Sequence, residues 1–264
     1  MFIIGAIDRV IKTKYSYNNK ATKIELKKTF IQLPTKNWKI DFEFMEIFIE
    51  ELEAERIAEL EAYLSATGLK DYTLTSEEEK VLEDFENGKF IWSEFRVDKL
   101  FDVRKGKRLP ERVLFETEGN IALINQSPQN NMVARYSGLQ ELNEIYQKNA
   151  ITFGVNIKSF GYQKNDFYTI ADVLFLKSVF LNEKNANYFI TTIKKQLPSV
   201  WWDKIFGLSQ MKDLFIKVPT NNNNEPDYTT METFISAIQK LVIKDVVIYA
   251  DRKIAATKSV VIGG

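Results

Sequence analysis

The sequence predicts an α+β protein, with one globular mixed α/β domain and two long, coiled-coil-like helices packed antiparallel. Three observations predict it. A pattern of strand, polar turn and long helix occurs twice at a nearly constant offset. Apolar residues at helical spacing run through 41–66 and again from 227 onward. Between these stretches, residues 89–182 hold short apolar runs separated by turn signals.

The repeat sets the order of elements. LKKTFIQLPT at Leu26–Thr35 matches MKDLFIKVPT at Met211–Thr220 with an offset of 185, and DFEFMEIFI at Asp41–Ile49 matches DYTTMETFI at Asp227–Ile235 with an offset of 186. Upstream, Phe2, Ile3 and Ile7 correspond to Phe189, Ile190 and Ile193. Each copy reads as a short helix, a strand ending in Leu/Val-Pro-Thr, a turn and a long helix. The first long helix, about Asp41 to Ala66, is expected to bury Met45, Phe48, Ile49, Leu52, Ile57, Leu60 and Leu64, with Gly68 as its C-terminal cap. The second carries Met231, Phe234, Ile238, Leu241, Ile248 and Ala255 in steps of three, four and seven, with Asp245 and Arg252 breaking the seam. The chain leaves through one helix, builds a domain and returns through the other, so the two are expected to lie antiparallel, with Met45, Phe48 and Leu52 facing Phe234, Ile238, Leu241 or Ile248. Either helix also reads as an ordinary amphipathic helix on a core. Glu77–Glu86 reads as a solvated acidic helix ending at the Asn87-Gly88 turn. Expected strands are Ile121–Asn125, Met132–Tyr136, Ile151–Val155 and Val173–Val179, followed by a helix from Asn185 to Leu197 with Phe189, Ile190, Ile193 and Leu197 inward. The resulting segments are 1–37, 38–70 (first long helix), 71–88 (acidic linker), 89–220 (globular domain) and 226–258 (second long helix).

Composition removes several function classes. The chain has no His and no Cys. Ser-His and Cys-His nucleophilic catalysis and zinc sites built on imidazole or thiolate are therefore excluded. No cofactor is implied. No apolar run approaches the ~20 residues of a membrane span, and the N-terminal residues lack the basic flank of a signal peptide, which predicts a cytoplasmic protein with no membrane partner. The net charge is zero, but it is segregated: residues 40–90 carry four Lys/Arg against sixteen Asp/Glu, whereas residues 91–220 carry eighteen against thirteen. The acidic and basic stretches are thus separate physical objects. Glu78-Glu79-Lys80 superficially matches the end of a nuclease site, but it sits in a charge run and reads as a solvated face.

What remains are polar clusters between strands. Lys105, Lys107 and Arg108 surround Gly106, a pattern suited to phosphate contact or to guanine, and equally to a basic surface turn. Asn125, Gln126, Gln129, Asn130 and Asn131 offer the donor–acceptor pairs that match adenine in a major groove, or form a plain polar loop. Arg135 is a further base-edge candidate. The segment Asn156–Lys164, with Lys158, Tyr162, Gln163 and Lys164, mixes amides, cations and an aromatic in the same manner. Trp201 and Trp202 read as a stacking wedge or as core.

Taken in order, these residues resemble a known family. The succession is Trp92, Phe95, Leu100-Phe101, Gly106-Lys107-Arg108-Leu109, Gln129-Asn130-Asn131, Ile151-Thr152-Phe153-Gly154, Phe160-Gly161-Tyr162-Gln163, Asp166-Phe167-Tyr168, Leu174–Lys177, the 185–197 helix, Val218-Pro219 and a long helix. It is similar to the target recognition domain and spacer helices of type I restriction–modification specificity subunits, especially the type IIB-like branch. The resemblance implies a non-catalytic subunit that reads double-stranded DNA, with modification methyltransferase and restriction subunits as partners. In that family two recognition domains flank the helix pair. Here only 89–220 is complete, and 1–37 matches the C-terminal end of a preceding one, so the chain reads as a truncated reading frame, a fragment of a longer subunit, or a half-subunit that pairs with itself. Self-association is expected to cover that segment. The alternative is a helical scaffold for dimerisation or methyltransferase docking that does not itself read DNA.

Overall fold

The computed structural model describes residues 1–109, 118–139, 145–198 and 206–262. The chain divides into two units, Met1–Tyr72 with Leu241–Gly264, and Thr73–Lys240. Among the described residues no helix is long and apolar enough to cross a membrane.

The first unit opens with α1 (Phe2–Lys14) and α2 (Lys23–Lys27), followed by a two-residue ladder of β1 (Thr35–Lys36) and β2 (Lys39–Ile40), and then α3 (Phe42–Ala66). Asn37 and Trp38 turn the ladder with φ of 52° and 62°, the double left-handed geometry of a tight hairpin. Asp41 caps α3 by accepting the Phe44 N–H at 2.9 Å. The other end closes as expected at Gly68, whose φ is 70°. The Leu69 N–H returns to the Leu64 carbonyl at 3.0 Å and the Gly68 N–H to Ser65 at 3.3 Å, the paired bonds of a left-handed C-terminal stop.

The last helix, α8 (Tyr228–Ile262), packs on α3 within this unit. Leu64, Val247 and Ala250 form the buried cluster, with Leu60, Leu69, Tyr72 and Ile243 against it. Glu53 meets Lys253 at 3.0 Å while Leu64 meets Val247, so the partners recede along α8 as α3 advances, and the pair is antiparallel. The seam differs from the expected one. Phe48 rests on Phe2, ring centroids 5.5 Å apart, and Leu52 is exposed. Met231 belongs to the sheet-domain core, and Phe234 lies 4.7 Å from Phe85. The first turns of α8 are thus occupied by the domain they leave, which moves the helix–helix contact to Ile243, Val247 and Ala250. Leu241 is exposed and Ile248 half-buried. The strand expected before Leu33-Pro34-Thr35 is also absent, since Phe30–Pro34 carries no ladder. Its counterpart, Phe215–Pro219, does form one.

The second unit comprises α4 (Ser76–Glu86), β3 (Trp92–Arg96), α5 (Val97–Leu100), β4 (Asp102–Lys105), β5 (Ile121–Ile124), a 3-10 turn (Asn130–Met132), β6 (Val133–Ser137), β7 (Ala150–Gly154), β8 (Ser159–Gln163), β9 (Phe167–Thr169), β10 (Val173–Lys177), α6 (Glu183–Gln196), α7 (Leu208–Asp213), β11 (Phe215–Pro219) and the start of α8. Four strands form an antiparallel sheet in the order β4–β10–β7–β8. Three more form β6–β5–β9, in which β5 and β9 run parallel. The first and last strands, β3 and β11, pair as a ribbon. Helix α6 buries Phe189, Ile190 and Ile193 as its periodicity predicts, and Phe189 stands edge-on to Phe101 at 4.9 Å.

Helix α4 departs from the expected solvated face. A capping box at Thr75 starts it, and Glu78 and Val81 are buried. Lys240 of α8 reaches Glu78 Oε2 and the Thr73 carbonyl, each at 2.8 Å. Glu78 is therefore one half of a buried ion pair, and neither a nuclease acid nor a surface charge.

Candidate nucleic-acid interface

The strand ends converge in one place within the second unit. Lys105 ends β4 opposite Leu174, Gly154 ends β7 opposite Val173, and Ser159 opens β8 opposite Gly154. In the neighbouring sheet, Thr169 ends β9 beside Ile124, the end of β5. Backbone bonds tie these ends together: Gly106 N–H to Val173 at 2.9 Å, Leu109 N–H to Thr169 at 2.9 Å, Ile170 N–H to Ile124 at 2.9 Å and Val155 N–H to Asp172 at 3.2 Å. The segments 105–108, 125–129 and 155–158 thus leave the same end of the two sheets.

Gly106 is fixed by proximity. A Cβ there would stand 2.4 Å from Thr169 Oγ1, closer than any side chain tolerates. The same hydroxyl donates to the Lys107 carbonyl at 3.0 Å, and the Lys107 N–H donates to the Tyr146 hydroxyl at 2.7 Å. The backbone is thereby pinned while the side chains of Lys107 and Arg108 stay exposed. Lys105 differs from Lys107, since its ammonium lies 3.0 Å from Asp172 Oδ1.

The amide-rich loop is held mostly by its own side chains. Asn125 Oδ1 accepts the Ser127 N–H at 2.7 Å, and Asn130 Nδ2 donates to the Val133 carbonyl at 3.0 Å. Gln126 Oε1 accepts the Asn156 N–H at 2.6 Å, while its carbonyl accepts the Ser159 hydroxyl at 2.7 Å. Gln129 is exposed, and its side-chain amide has no hydrogen-bond partner among the described residues. Arg135 sits on β6 opposite Leu123, half-buried.

Two of the expected DNA-contact residues spend their amides on the protein itself. Gln163 is only 3% exposed, and its Nε2 donates to the Asn131 carbonyl and to Thr152 Oγ1, both at 3.0 Å. Asn131 spends its amide on β8, donating to the Tyr162 carbonyl at 2.7 Å and accepting the Tyr162 N–H at 2.9 Å. The reason is physical. β8 is an edge strand, and a polar side chain satisfies backbone groups that would otherwise stay unpaired. Gly161 permits the approach, because a Cβ there would lie 2.6 Å from the Asn131 carbonyl.

Tyr162 and Lys164 lie toward the other end of β8. The Tyr162 hydroxyl donates to Asn149 Oδ1 at 2.9 Å, and burial, then the nearby Glu183 charge, push its pKa above the usual phenol value. Lys164 pairs with Glu183 at 3.2 Å. Lys158, with φ of 55°, donates its ammonium to the Pro198 carbonyl. Trp201 and Trp202 lie outside the described residues. Sequence reasoning missed Tyr146, Thr169 and Asp172, whose partners lie 39 and 62 residues away for the first two, too far for any local signal. Among the described residues no group of acidic side chains could hold a metal ion.

A mixed α/β domain whose strand-end loops carry cations and amides, attached to a long helix, defines a class of recognition module with no catalytic constellation among the described residues. Residues 91–247 match the family described as Type I restriction modification DNA specificity domain, and the chain belongs to that family. Specificity subunits of this kind are non-catalytic. The chain is 24% identical over 252 residues to the type II restriction enzyme specificity subunit S.BcgI of Heyndrickxia coagulans, covering 92% of this chain and 67% of that protein. Among solved structures it is similar to a type I restriction–modification S subunit from M. genitalium (11% identity, TM-score 0.45, 80% of this chain and 56% of that one). It is also similar to an HsdS subunit from Thermoanaerobacter tengcongensis (12% identity, TM-score 0.43, 78% and 51%). A chain from a type I restriction–modification complex matches at 12% identity and TM-score 0.49, with 98% and 65% covered. The chain therefore spans between half and two thirds of the solved chains it matches.

Proposed function

We propose that this chain is the sequence-specific, double-stranded-DNA-reading subunit of a type I-like restriction–modification system, directing methyltransferase and endonuclease subunits to their site. Family membership supports the class. The observation that carries the reading is the convergence of the 105–108, 125–129 and 155–158 segments at one end of the paired sheets, with Lys107, Arg108 and Gln129 exposed there. Cations at such an edge hold phosphates, and an exposed amide reads a base. On this reading, residues 89–220 are the recognition domain, 38–70 and 226–258 are spacer helices joined to it by the acidic 71–88 linker, and 1–37 repeat the C-terminal end of a recognition domain. The acidic α3 fits contact with protein partners better than with DNA.

The test is selection from a pool of duplexes with a randomised core, followed by titration of the selected and scrambled duplexes at two salt concentrations with the modification subunit present. The expected result is an enriched motif, tighter binding of the selected duplex and a salt slope of several units. Equal binding of both duplexes at every salt concentration would refute the reading and favour the helical scaffold.

A further inference from the structure

We propose that Gln126 is a positioning residue for base reading: by accepting the Asn156 N–H it seats the 125–131 loop on the β7–β8 turn, leaving Gln129 as the side chain that meets a base edge. This rests on the DNA-reading function above and adds a division of labour among chemically identical groups.

The loop carries five amide side chains, and four of them are spent on the protein itself. Asn125 and Asn130 bond within the loop, to Ser127 and Val133. Gln126 and Asn131 bond outside it, to backbone 30 and 31 residues away. The two outward bonds lie on either side of Gln129, so the loop is fastened to the β7–β8 hairpin at both ends. Asn131 grips the strand edge at Tyr162, and Gln126 grips the turn at Asn156.

The turn end is tightly built. Gly154 has no room for a side chain, since a Cβ would lie 2.3 Å from Ser159 Oγ and 3.1 Å from Gln126 Cβ. Ser159 in turn donates to the Gln126 carbonyl, so two hydrogen bonds cross between loop and hairpin within one residue. A base-reading amide needs placement to about 0.5 Å, which an exposed loop reaches only through such supports. Gln129 lies between the two anchors with donor and acceptor both open, which is the pattern that pairs with adenine.

The test uses the full chain and the duplex pool described above, with Gln126→Met as a variant of similar volume that lacks the acceptor. Gln126→Met is expected to lose preference at one base pair by roughly tenfold, to keep its affinity for unselected duplex, and to exchange the Asn156 amide proton faster in NMR. Gln126→Glu keeps an acceptor and should restore both the preference and the slow exchange, with weaker binding to every duplex because its charge repels phosphate. Gln129→Ala, at a side chain without a protein partner, should fold as wild type and lose preference at the same base pair. That variant keeps the proposal open to refutation if Gln126→Met does not fold. Unchanged motifs in Gln126→Met or Gln129→Ala overturn the proposal while the DNA-reading function stands. A wild-type chain that enriches no motif overturns that function, and the proposal with it.

Discussion

The side-chain amide of Asn131 takes both backbone groups of Tyr162, donating to its carbonyl at 2.7 Å and accepting its N–H at 2.9 Å. A single residue thus acts as one more rung of the sheet beyond edge strand β8. Its φ of 52° is a conformation that Asn tolerates better than other side chains. Asn131→Ala should lower stability by about 1–3 kcal/mol, since it strands a donor and an acceptor at the edge. Asn131→Gly keeps the backbone conformation but not the bonds, so it should fall between Asn131→Ala and wild type. Urea midpoints of the three proteins measure this. Equal midpoints for Asn131→Ala and wild type would show that water replaces the amide at no cost.

The Glu78–Lys240 pair makes a prediction about pH. Burial alone would push the Glu78 carboxyl up, but hydrogen bonds from Lys240, the Thr75 backbone and Ser236 outweigh it and hold its pKa below the ordinary value. A carboxyl depressed in the folded state stabilises above its unfolded pKa of about 4.3, and that contribution is lost as pH falls through the lower folded value. Lys240→Met removes the leading favourable partner and leaves a buried carboxylate, at a cost of about 3–5 kcal/mol near neutrality. With burial then dominant, the Glu78 pKa should rise above its unfolded value, and the deficit of the variant should shrink as pH is lowered from 7 to 4. Unfolding curves across that range check it. A deficit independent of pH would mean that Glu78 is not the group left unpaired.

Legibility in the sequence followed how local each cause was. The 3.6-residue spacing of Phe189, Ile190 and Ile193 placed α6 and its buried face. Apolar runs located β5, β6, β7 and β10. Strand β8 was hidden because its SFGYQ run mixes polar residues with a Gly that is there for the Asn131 approach. The three-residue β9 is shorter than any periodic signal. Within the candidate site, composition could not separate Asn131 and Gln163, whose amides bond to the protein itself, from Gln129, which has no partner among the described residues. All three are amides, and only partners distant in sequence distinguish them. The helix seam failed for a related reason. Periodicity identifies an apolar stripe but not what covers it, and Met231 and Phe234 are covered by their own domain.

The repeat makes a prediction about assembly. In α6, Phe189, Ile190 and Ile193 are buried by a sheet, whereas their counterpart α1 buries no residue. Ile4 is 67% and Phe30 91% exposed. A groove of about 780 Å³ runs between α1 and α3, lined by Met1, Phe2, Val10, Phe30, Phe48 and Leu52. Apolar surface of this extent is rarely left bare. The chain is therefore expected to self-associate, with light scattering giving a mass above that of the monomer at tens of micromolar, and Phe30→Asp with Ile4→Asp shifting it toward monomer. A monodisperse wild-type monomer at that concentration would refute the expectation.

The last prediction separates two lysines that the sequence treats alike. Lys105 and Lys107 flank Gly106, but the Lys105 ammonium already lies 3.0 Å from Asp172, while Lys107 is exposed and its ammonium has no ion-pair partner among the described residues. Binding to DNA releases counterions in proportion to the protein cations that newly neutralise phosphates. Lys107→Ala should thus weaken binding to every duplex alike and reduce the slope of log affinity against log salt by about one unit. Lys105→Ala should reduce it by less, because the same substitution leaves Asp172 unbalanced at the surface and Lys105 must leave that carboxylate to reach a phosphate. The double variant Lys105→Ala with Asp172→Asn should recover affinity relative to Lys105→Ala, through loss of the repulsive charge. These slopes are read from fluorescence anisotropy titrations of one duplex over a salt series, with the modification subunit held constant. If Lys105→Ala and Lys107→Ala change the slope equally, the Asp172 pair does not persist on DNA and both lysines contact phosphate. If neither changes it, the 105–108 segment lies away from the DNA, and the interface must be sought at another face of the domain.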